Sequence, residues 1–474
     1  MVKIILFELK KIFKSKFKLI LCAFVLLGNL WMSHYYNVQY ISAVNENKIE
    51  LHGVEALRYL DQFYDNLKGT VNDSYLKDIE VKQAEMMNQF LNHEKMKEVF
   101  GEYYTTILGI DGKENVDPEL VKEIVKTAEK NCKKLNIPFP LSYNDDYTYL
   151  KIEMLYFTDY NYLRQTFWYF DGPLKSMPFM QILNEEENQK IEYIVVNNQV
   201  KIKNTGFADS LWPYQWLEKY PVQVIDYLND RYENMSSSYD STVGATTLFN
   251  CISNYMIWLL DMLLIIVLLA DVFSTEQRHK MDQYLACAKE YKKITMAKIL
   301  TVLIVTVTIF AIQMGLLYGF VSWIVPIKNL DVQAVIPNCL MPLSRFDLFT
   351  FKELLIRTGI TVLFALLSVS IVTSVLSCLT QNRIFSSIAT MLFVALPMVF
   401  INNTAPFNMD YFPFEMLRMD IFFGNNIRFG FNQLVCIGEN VYYTASIICV
   451  GWVIAGILLY LFCYLKERRH IVRS

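Results

Sequence analysis

Binding a nucleotide's phosphates on backbone N–H groups calls for a GxxxxGK[ST] loop, and the chain contains none. HExxH zinc chemistry fails too. His93-Glu94 is followed by Lys95, Met96 and Lys97, so no second histidine stands one helical turn on. No GxSxG is present, and the nine cysteines form no CxxC pair. The five histidines (His34, His52, His93, His279 and His470) are scattered. No catalytic residue and no metal site is therefore expected in this chain. What the sequence does carry is charge where charge is costly. Asp261 lies in YMIWLLDMLLIIV, and an ionised group at mid-membrane costs about 2.5–3.5 kcal/mol on insertion scales. Such a carboxyl either lines a polar pathway or subunit interface, or is buried in a pair within the bundle. Arg357 is its nearest intramembrane partner by type. Gly315 and Gly319 form a GxxxG that would let helices approach closely.

These residues need apolar helices to hold them. A crossing takes roughly 20 mostly apolar residues, and six runs qualify: 17–36, 249–272, 295–323, 353–379, 384–401 and 442–465. The first has a basic lead-in like a secretory signal. However, no small-x-small cleavage site follows it, and Trp31, Tyr35 and Tyr36 sit where an interfacial aromatic belt would. It reads as a retained span. Pro397 is placed to kink or end span five, and Ser368, Ser370, Thr373, Ser374 and Ser377 give span four a small, polar character. The expected fold is a polytopic α-helical membrane protein with six transmembrane helices and a mainly α extracellular domain.

Basic residues orient the spans. Residues 1–18, 273–298, 379–383 and 466–474 hold 17 lysines and arginines, while 324–352 and 403–440 hold 5. Both termini are therefore expected in the cytoplasm of a multi-pass cell-membrane protein, with residues 37–248 outside. The formal charge of the 474 residues, −3 from 44 basic and 47 acidic side chains, conceals two unlike parts. Residues 37–248 carry 21 basic and 33 acidic side chains, a net of −12; the remainder carries 23 and 14, a net of +9. With 53% apolar and 19% charged residues, disorder and nucleic-acid binding are excluded as classes.

The outer insertion is long enough for a folded domain. Asn72-Asp73-Ser74 opens a helix over 75–91. Asp117-Pro118-Glu119 opens another to Leu135, with Leu120, Ile124, Ala128 and Leu135 near one face. Residues 145–169 and 216–232 are further helical candidates, and 190–203 alternates around Asn197-Asn198 as a hairpin would. Aromatic clusters at 167–170 and 212–216 either pack or meet an amphipathic, cationic ligand. Cys132 has no partner within the insertion, whereas Cys339 and Cys436 share the outer loops and either pair or stay free. The segment 402–441 is aromatic-rich and too charged to span, and reads as re-entrant or interfacial.

Residues 1–16 form an amphipathic helix placing Ile5, Leu9, Ile12 and Phe13 on one face. Residues 273–294 join spans two and three as a charge-rich segment containing a short helix. Here the chain resembles the ABC-2 type transporter permeases. They begin with an E-L-K-K-like amphipathic helix, and follow span two with F-S-x-E, a glycine, a Leu-rich short helix, a basic residue and a lysine opening span three. This sequence supplies Glu8 and Lys11, then Phe273, Ser274, Glu276, Leu285, Lys292 and Lys298. It departs at the glycine, where Lys280 stands, and has Ala288 near a position that is often proline.

The resemblance implies a membrane subunit of a bacterial ABC transporter, of a Gram-positive subgroup with a large insertion between spans one and two. ATP and Mg would be handled by a separate ABC ATPase subunit dimer, docked through Glu276, Arg278, Asp282, Leu285, Glu8 and Lys11. The second membrane half would be another copy or a homologous permease. Substrates of the subgroup point to a peptide, antimicrobial or lipid-like molecule, and the −12 of the insertion to a cationic amphipathic one. The alternative is a receptor, similar to sensors of the Cache type, whose outer domain binds a peptide and signals through a partner. Against it, no cytoplasmic segment exceeds about 30 residues. A gradient-driven carrier is disfavoured by the lack of internal repeats.

Overall fold

The computed structural model describes residues 1–45, 47–70, 73–109, 117–153, 156–158, 192–196, 199–204, 221–233, 238–274, 291–332, 349–399, 412–417 and 434–473. Its helices in chain order begin with α1 (Val2–Phe13), α2 (Lys16–Asn37), α3 (Gly53–Asp65), α4 (Asp73–Phe90) and α5 (His93–Phe100). There follow α6 (Tyr104–Gly109), α7 (Pro118–Leu135), α8 (Val222–Glu233), α9 (Val243–Ser253) and α10 (Tyr255–Leu269). The last are α11 (Tyr291–Ile324), α12 (Phe351–Thr380), α13 (Arg383–Val399), α14 (Pro413–Leu417) and α15 (Thr444–Arg473). The chain divides into two compact units. One holds Met1–Ile41, His52–Lys68 and Pro178–Ser474; the other holds Ser42–Leu51 and Gly69–Met177.

The first unit is a helical bundle with an apolar core that, unlike a water-soluble protein, also turns large apolar side chains outward. On α2 the buried positions are Lys18, Val25, Asn29 and Ser33, while Phe24 is 74% exposed and Phe17, Ile20, Leu27 and Trp31 also face outward. On α11, Thr301, Thr306 and Gln313 are buried while Ile304, Val307, Ile312 and Trp323 are exposed. A helix that hides its polar side and shows its apolar side is matched to lipid. Among the described residues four helices are long and apolar enough to cross a membrane: α2, α11, α12 and α15. There are five if α9 and α10 make one bent span. α13 is apolar but shorter. The molecule is thus a multi-pass helical membrane protein.

One span differs from expectation. The run expected at 249–272 begins earlier, at Val243, and breaks at Asn254 with a bend of 44°. Asn254 causes the break: its side chain accepts from Met256 N and restarts the helix as an N-cap. The carbonyls freed upstream are met locally, Ile252 O by Trp258 Nε1 at 2.6 Å and Asn250 O by Ser253 Oγ. α12 opens with a full capping box between Thr350 and Glu353. All its serines and threonines but the terminal Thr380 are buried, and Ser368, Thr373 and Ser374 donate to carbonyls three or four residues back. A hydroxyl bonded to its own helix can sit in an apolar environment at little cost.

The second unit has an ordinary oily core. In α7, Asp117 caps Glu119 N, Pro118 takes the first turn, and Asn136 ends the helix in the left-handed region. Val121, Ile124, Val125, Ala128 and Cys132 are its buried face, packed with Met96, Val99, Phe100, Leu150 and Phe157. Leu135, expected on that face, is exposed; the stripe runs along 121, 125, 128 and 132 instead. α4 starts within the expected Asn72-Asp73-Ser74 signal.

The helix expected over 145–169 is corrected at its start. Leu141–Tyr143 and Leu150–Ile152 form an antiparallel hairpin. Asn144 Oδ1 accepts from Tyr149 N, Nδ2 donates to Thr148, and Tyr147 adopts a positive φ. The turn chemistry of Asn-Asp-Asp outweighs the apolar spacing that follows. The rest of that candidate, 159–169, lies outside the described residues, as do both aromatic clusters and Cys339. Glu192–Val196 and Gln199–Asn204 pair as the expected antiparallel hairpin. Cys132 and Cys436 are free thiols.

Candidate functional site

Three helices of the bundle bring polar side chains to one buried point. Asn29 of α2 donates through Nδ2 to Asp261 Oδ1 of α10 at 3.1 Å and to Gln313 Oε1 of α11 at 3.2 Å. All three residues are completely buried. Asp261 Oδ2, Asn29 Oδ1 and Gln313 Nε2 have no hydrogen-bond partner among the described residues. The expected partner, Arg357, stands elsewhere. Its guanidinium lies 4.4 Å from the Tyr443 ring centroid and 5.1 Å from that of Phe349. Both rings belong to the far ends of their spans, where stacked aromatics are a better host for a guanidinium than the hydrocarbon centre. Sequence reasoning missed Asn29 and Gln313. The available signal was an amide amid an apolar run, in FVLLGNLWM and IFAIQMGLL.

A second cluster closes the end of the bundle where α2 begins. Lys18 donates to Asp271 Oδ1 at 3.1 Å and to Leu268 O at 3.3 Å, and Arg383 approaches Asp271 to 4.0 Å. Lys18 is buried, and Asp271 supplies its counter-charge. Around it, Ser386 Oγ donates to Ala270 O, and Ser377 Oγ accepts from Phe273 N. Lys298, also buried, sets its ammonium 5.1 Å from the Phe273 ring centroid. Phe273 and Lys298, on the two flanks of residues 275–290, thereby meet, and Phe273 is tied to α12. Glu276, Arg278, Asp282 and Leu285 all lie outside the described residues.

α1 packs on α11 and α2. Ile12 is buried as expected, but so is Glu8, which accepts from Lys11 Nζ at 3.1 Å. At i, i+3 that pair is satisfied within the helix itself, so the carboxylate turns inward and leaves Val2, Leu6 and Phe7 outside. Gly315 and Gly319 face open space, with nothing within 4 Å of a Cβ built on either. Close backbone approach occurs instead at Gly244, where a Cβ would run into the Pro326 carbonyl.

At the opposite end, α3 is tied to the loop after α11. Lys328 Nζ bonds Asp65 and lies 3.2 Å from Asp61. Ser241 Oγ donates to Asp61 at 2.5 Å, and Asn329 Nδ2 to Ser241 O. Burial works against the Lys328 ammonium, but Asp65 and Asp61 outweigh it and hold its pKa above the ordinary lysine value. Lys68, paired with Asp240 at 2.7 Å, is likewise raised, first by that hydrogen bond and then by the charge of Asp240. Among the described residues no group of three or more His, Cys, Asp and Glu is placed to hold a metal ion.

Compared with family models, with curated proteins and with solved structures, the chain matches none.

Proposed function

We propose that this chain is the membrane-spanning permease subunit of an ATP-driven transporter of the ABC-2 type. It exports or expels a peptide, antimicrobial or lipid-like substrate, with ATP and Mg bound by a separate ATPase subunit dimer. In this reading the bundle makes six crossings, α13 being the sixth despite its 17 residues. Both termini are cytoplasmic, residues 37–248 are extracellular, and a second copy or a homologous permease completes the transporter.

The observation that carries the reading is the contact of Lys298 with Phe273 on either side of residues 275–290. A cytoplasmic segment that receives ATPase closure must be anchored at both ends to the helices it moves; a solvated tether needs no such anchor. Here one flank continues from α10, the other lies in α11, and Ser377 ties the first to α12. The motif residues Phe273, Ser274 and Lys298 are themselves buried.

The test is capture from native membranes with a tagged full-length chain. An ABC ATPase should copurify. Simultaneous charge reversal at Glu276, Arg278 and Asp282 should abolish its recovery and the associated ATP turnover, while the chain still elutes as a folded species. ATPase recovery and turnover that survive the reversal would sink the docking assignment, and capture of a histidine kinase in place of an ATPase would favour a receptor.

A further inference from the structure

Among the described residues no cation pairs with the carboxyl group of Asp261. On the helices packed against α10, the described charged groups include the buried Glu415 of the short α14, and on α2, α12 and α13 they stand toward the helix ends. Lys18 lies 11 residues before Asn29, and Asp271 lies 10 residues beyond Asp261, about 15 Å along the axes. Arg383 is engaged with Asp271, and Arg357 with Phe349 and Tyr443. One turn away on the same three helices stand Val25, Ser33, Ile257, Trp258, Ile265, Ile309 and Leu317, all buried, and the Ser33 hydroxyl donates to Asn29 O. The side-chain donors among them, Trp258 and Ser33, are committed to the backbone carbonyls of Ile252 and Asn29. Yet two buried acceptors at this point, Asp261 Oδ2 and Asn29 Oδ1, lack a partner among the described residues, as does the donor Gln313 Nε2, which a cation would not meet. A buried acceptor left bare forfeits the hydration it had in the unfolded chain.

We propose that Asn29, Asp261 and Gln313 bind one Na⁺ ion within the bundle. The donor set fits a hard cation: two carboxylate oxygens and two amide oxygens, with no sulfur or imidazole. An amide exchanges its oxygen and nitrogen by a half-turn that leaves the heavy-atom frame in place. Turned so, Asn29 Oδ1 faces Asp261 Oδ1 and Gln313 Oε1 across the 3.1 and 3.2 Å now spanned by hydrogen bonds. Adjacent oxygens in an octahedral shell stand √2 times the metal–oxygen distance apart, about 2.9 Å around Mg²⁺ and about 3.3–3.7 Å around Ca²⁺. Na⁺ has nearly the radius of Ca²⁺, so an outward shift of a few tenths of an ångström accommodates it, whereas the larger K⁺ needs a wider ring. Charge selects between ions of one size. A single carboxylate is neutralised by a monovalent ion, while a divalent one would leave a net charge in hydrocarbon.

The experiment uses the purified full-length chain in micelles and ²²Na⁺, at constant ionic strength made up with choline chloride. It needs no ATPase, so its outcome is separate from that of the transporter assignment. Wild type should bind one Na⁺ per chain saturably, with K⁺ competing at least tenfold less well. Asp261→Asn should abolish binding, and Gln313→Leu should weaken it at least tenfold. Gel filtration of each variant separates lost binding from lost fold, and if Asp261→Asn does not fold, Gln313→Leu carries that arm. The proposal is overturned by wild type without saturable Na⁺ binding, or by binding that is unchanged in the folded variants. Thermal stability that follows pH but not Na⁺ also overturns it and makes the group a proton site.

Discussion

Helices α2 and α7 are both long, and they are built on opposite plans. α7 buries Val121, Ile124, Val125, Ala128 and Cys132 and turns Glu119, Lys122, Glu123 and Lys126 outward. α2 buries Lys18, Asn29 and Ser33 around Val25 and turns Phe17, Ile20, Phe24, Leu27 and Trp31 outward. The difference teaches that burial is a statement about the surrounding solvent. In water the apolar stripe gains by leaving the surface, at roughly 25 cal/mol per Å². In lipid no such gain exists between helices, and association falls to packing and to polar contacts such as Asn29 with Asp261 and Gln313. The same contrast explains why cores on the two plans respond differently to mutation.

The comparison breaks most visibly at Ile124. Ile124→Ala removes three carbons from a fully buried site in the α7 core and should cost about 2–5 kcal/mol. Limited proteolysis of residues 42–177 is the readout, and protection equal to wild type would show that this core is not formed. In the bundle the sensitive position is small rather than large. Gly244→Ala drives a methyl into the Pro326 carbonyl and Ile327 Cα, and backbone cannot swing away as a side-chain tip can. A loss of about 1–3 kcal/mol should lower the thermal midpoint of the chain in micelles. Least of all should come from Phe24→Ala. On a soluble helix, truncating a phenylalanine is severe, but here the ring faces outward. The change should stay within about 0.5 kcal/mol, and a larger loss in the same micelle assay would mean that α2 is covered by protein on that side.

How far the sequence alone reaches depends on the distance over which each feature is decided. The start of α7 is set by Asp117, Pro118 and Glu119, three neighbours in the chain, and it was legible residue for residue. So was the hairpin at 192–204, whose alternation and central Asn-Asn are local. The turn at Asn144–Tyr149 was equally local, but its signal was overridden by the apolar spacing further on. Asp261 was legible as a costly residue. Its partner was not, because that depends on the rotation and depth of α2 and α11 against α10. Choosing by charge favoured Arg357, which the aromatic rings of Phe349 and Tyr443 hold at another level. The inward turn of Glu8 was hidden for a similar reason: its neighbour Lys11 satisfies it, and nothing in the spacing records which way the pair faces.

The break at Asn254 has a consequence in terms of bilayer thickness. Helix α10, with 15 residues, rises about 23 Å, and α9, with 11, about 17 Å. The first alone falls short of a hydrocarbon core of about 30 Å, and a straight helix from Val243 to Leu269 would overshoot it at about 40 Å. Bent by 44°, the shorter arm contributes about 12 Å of height, and the whole reaches about 35 Å. Hydrophobic mismatch is ordinarily met by tilting an entire helix, which here would disturb α2, α12 and α13 together. Where α9 and α10 make one bent span, the elbow at Asn254 takes up the excess length at one joint, where the Trp258 to Ile252 bond sits.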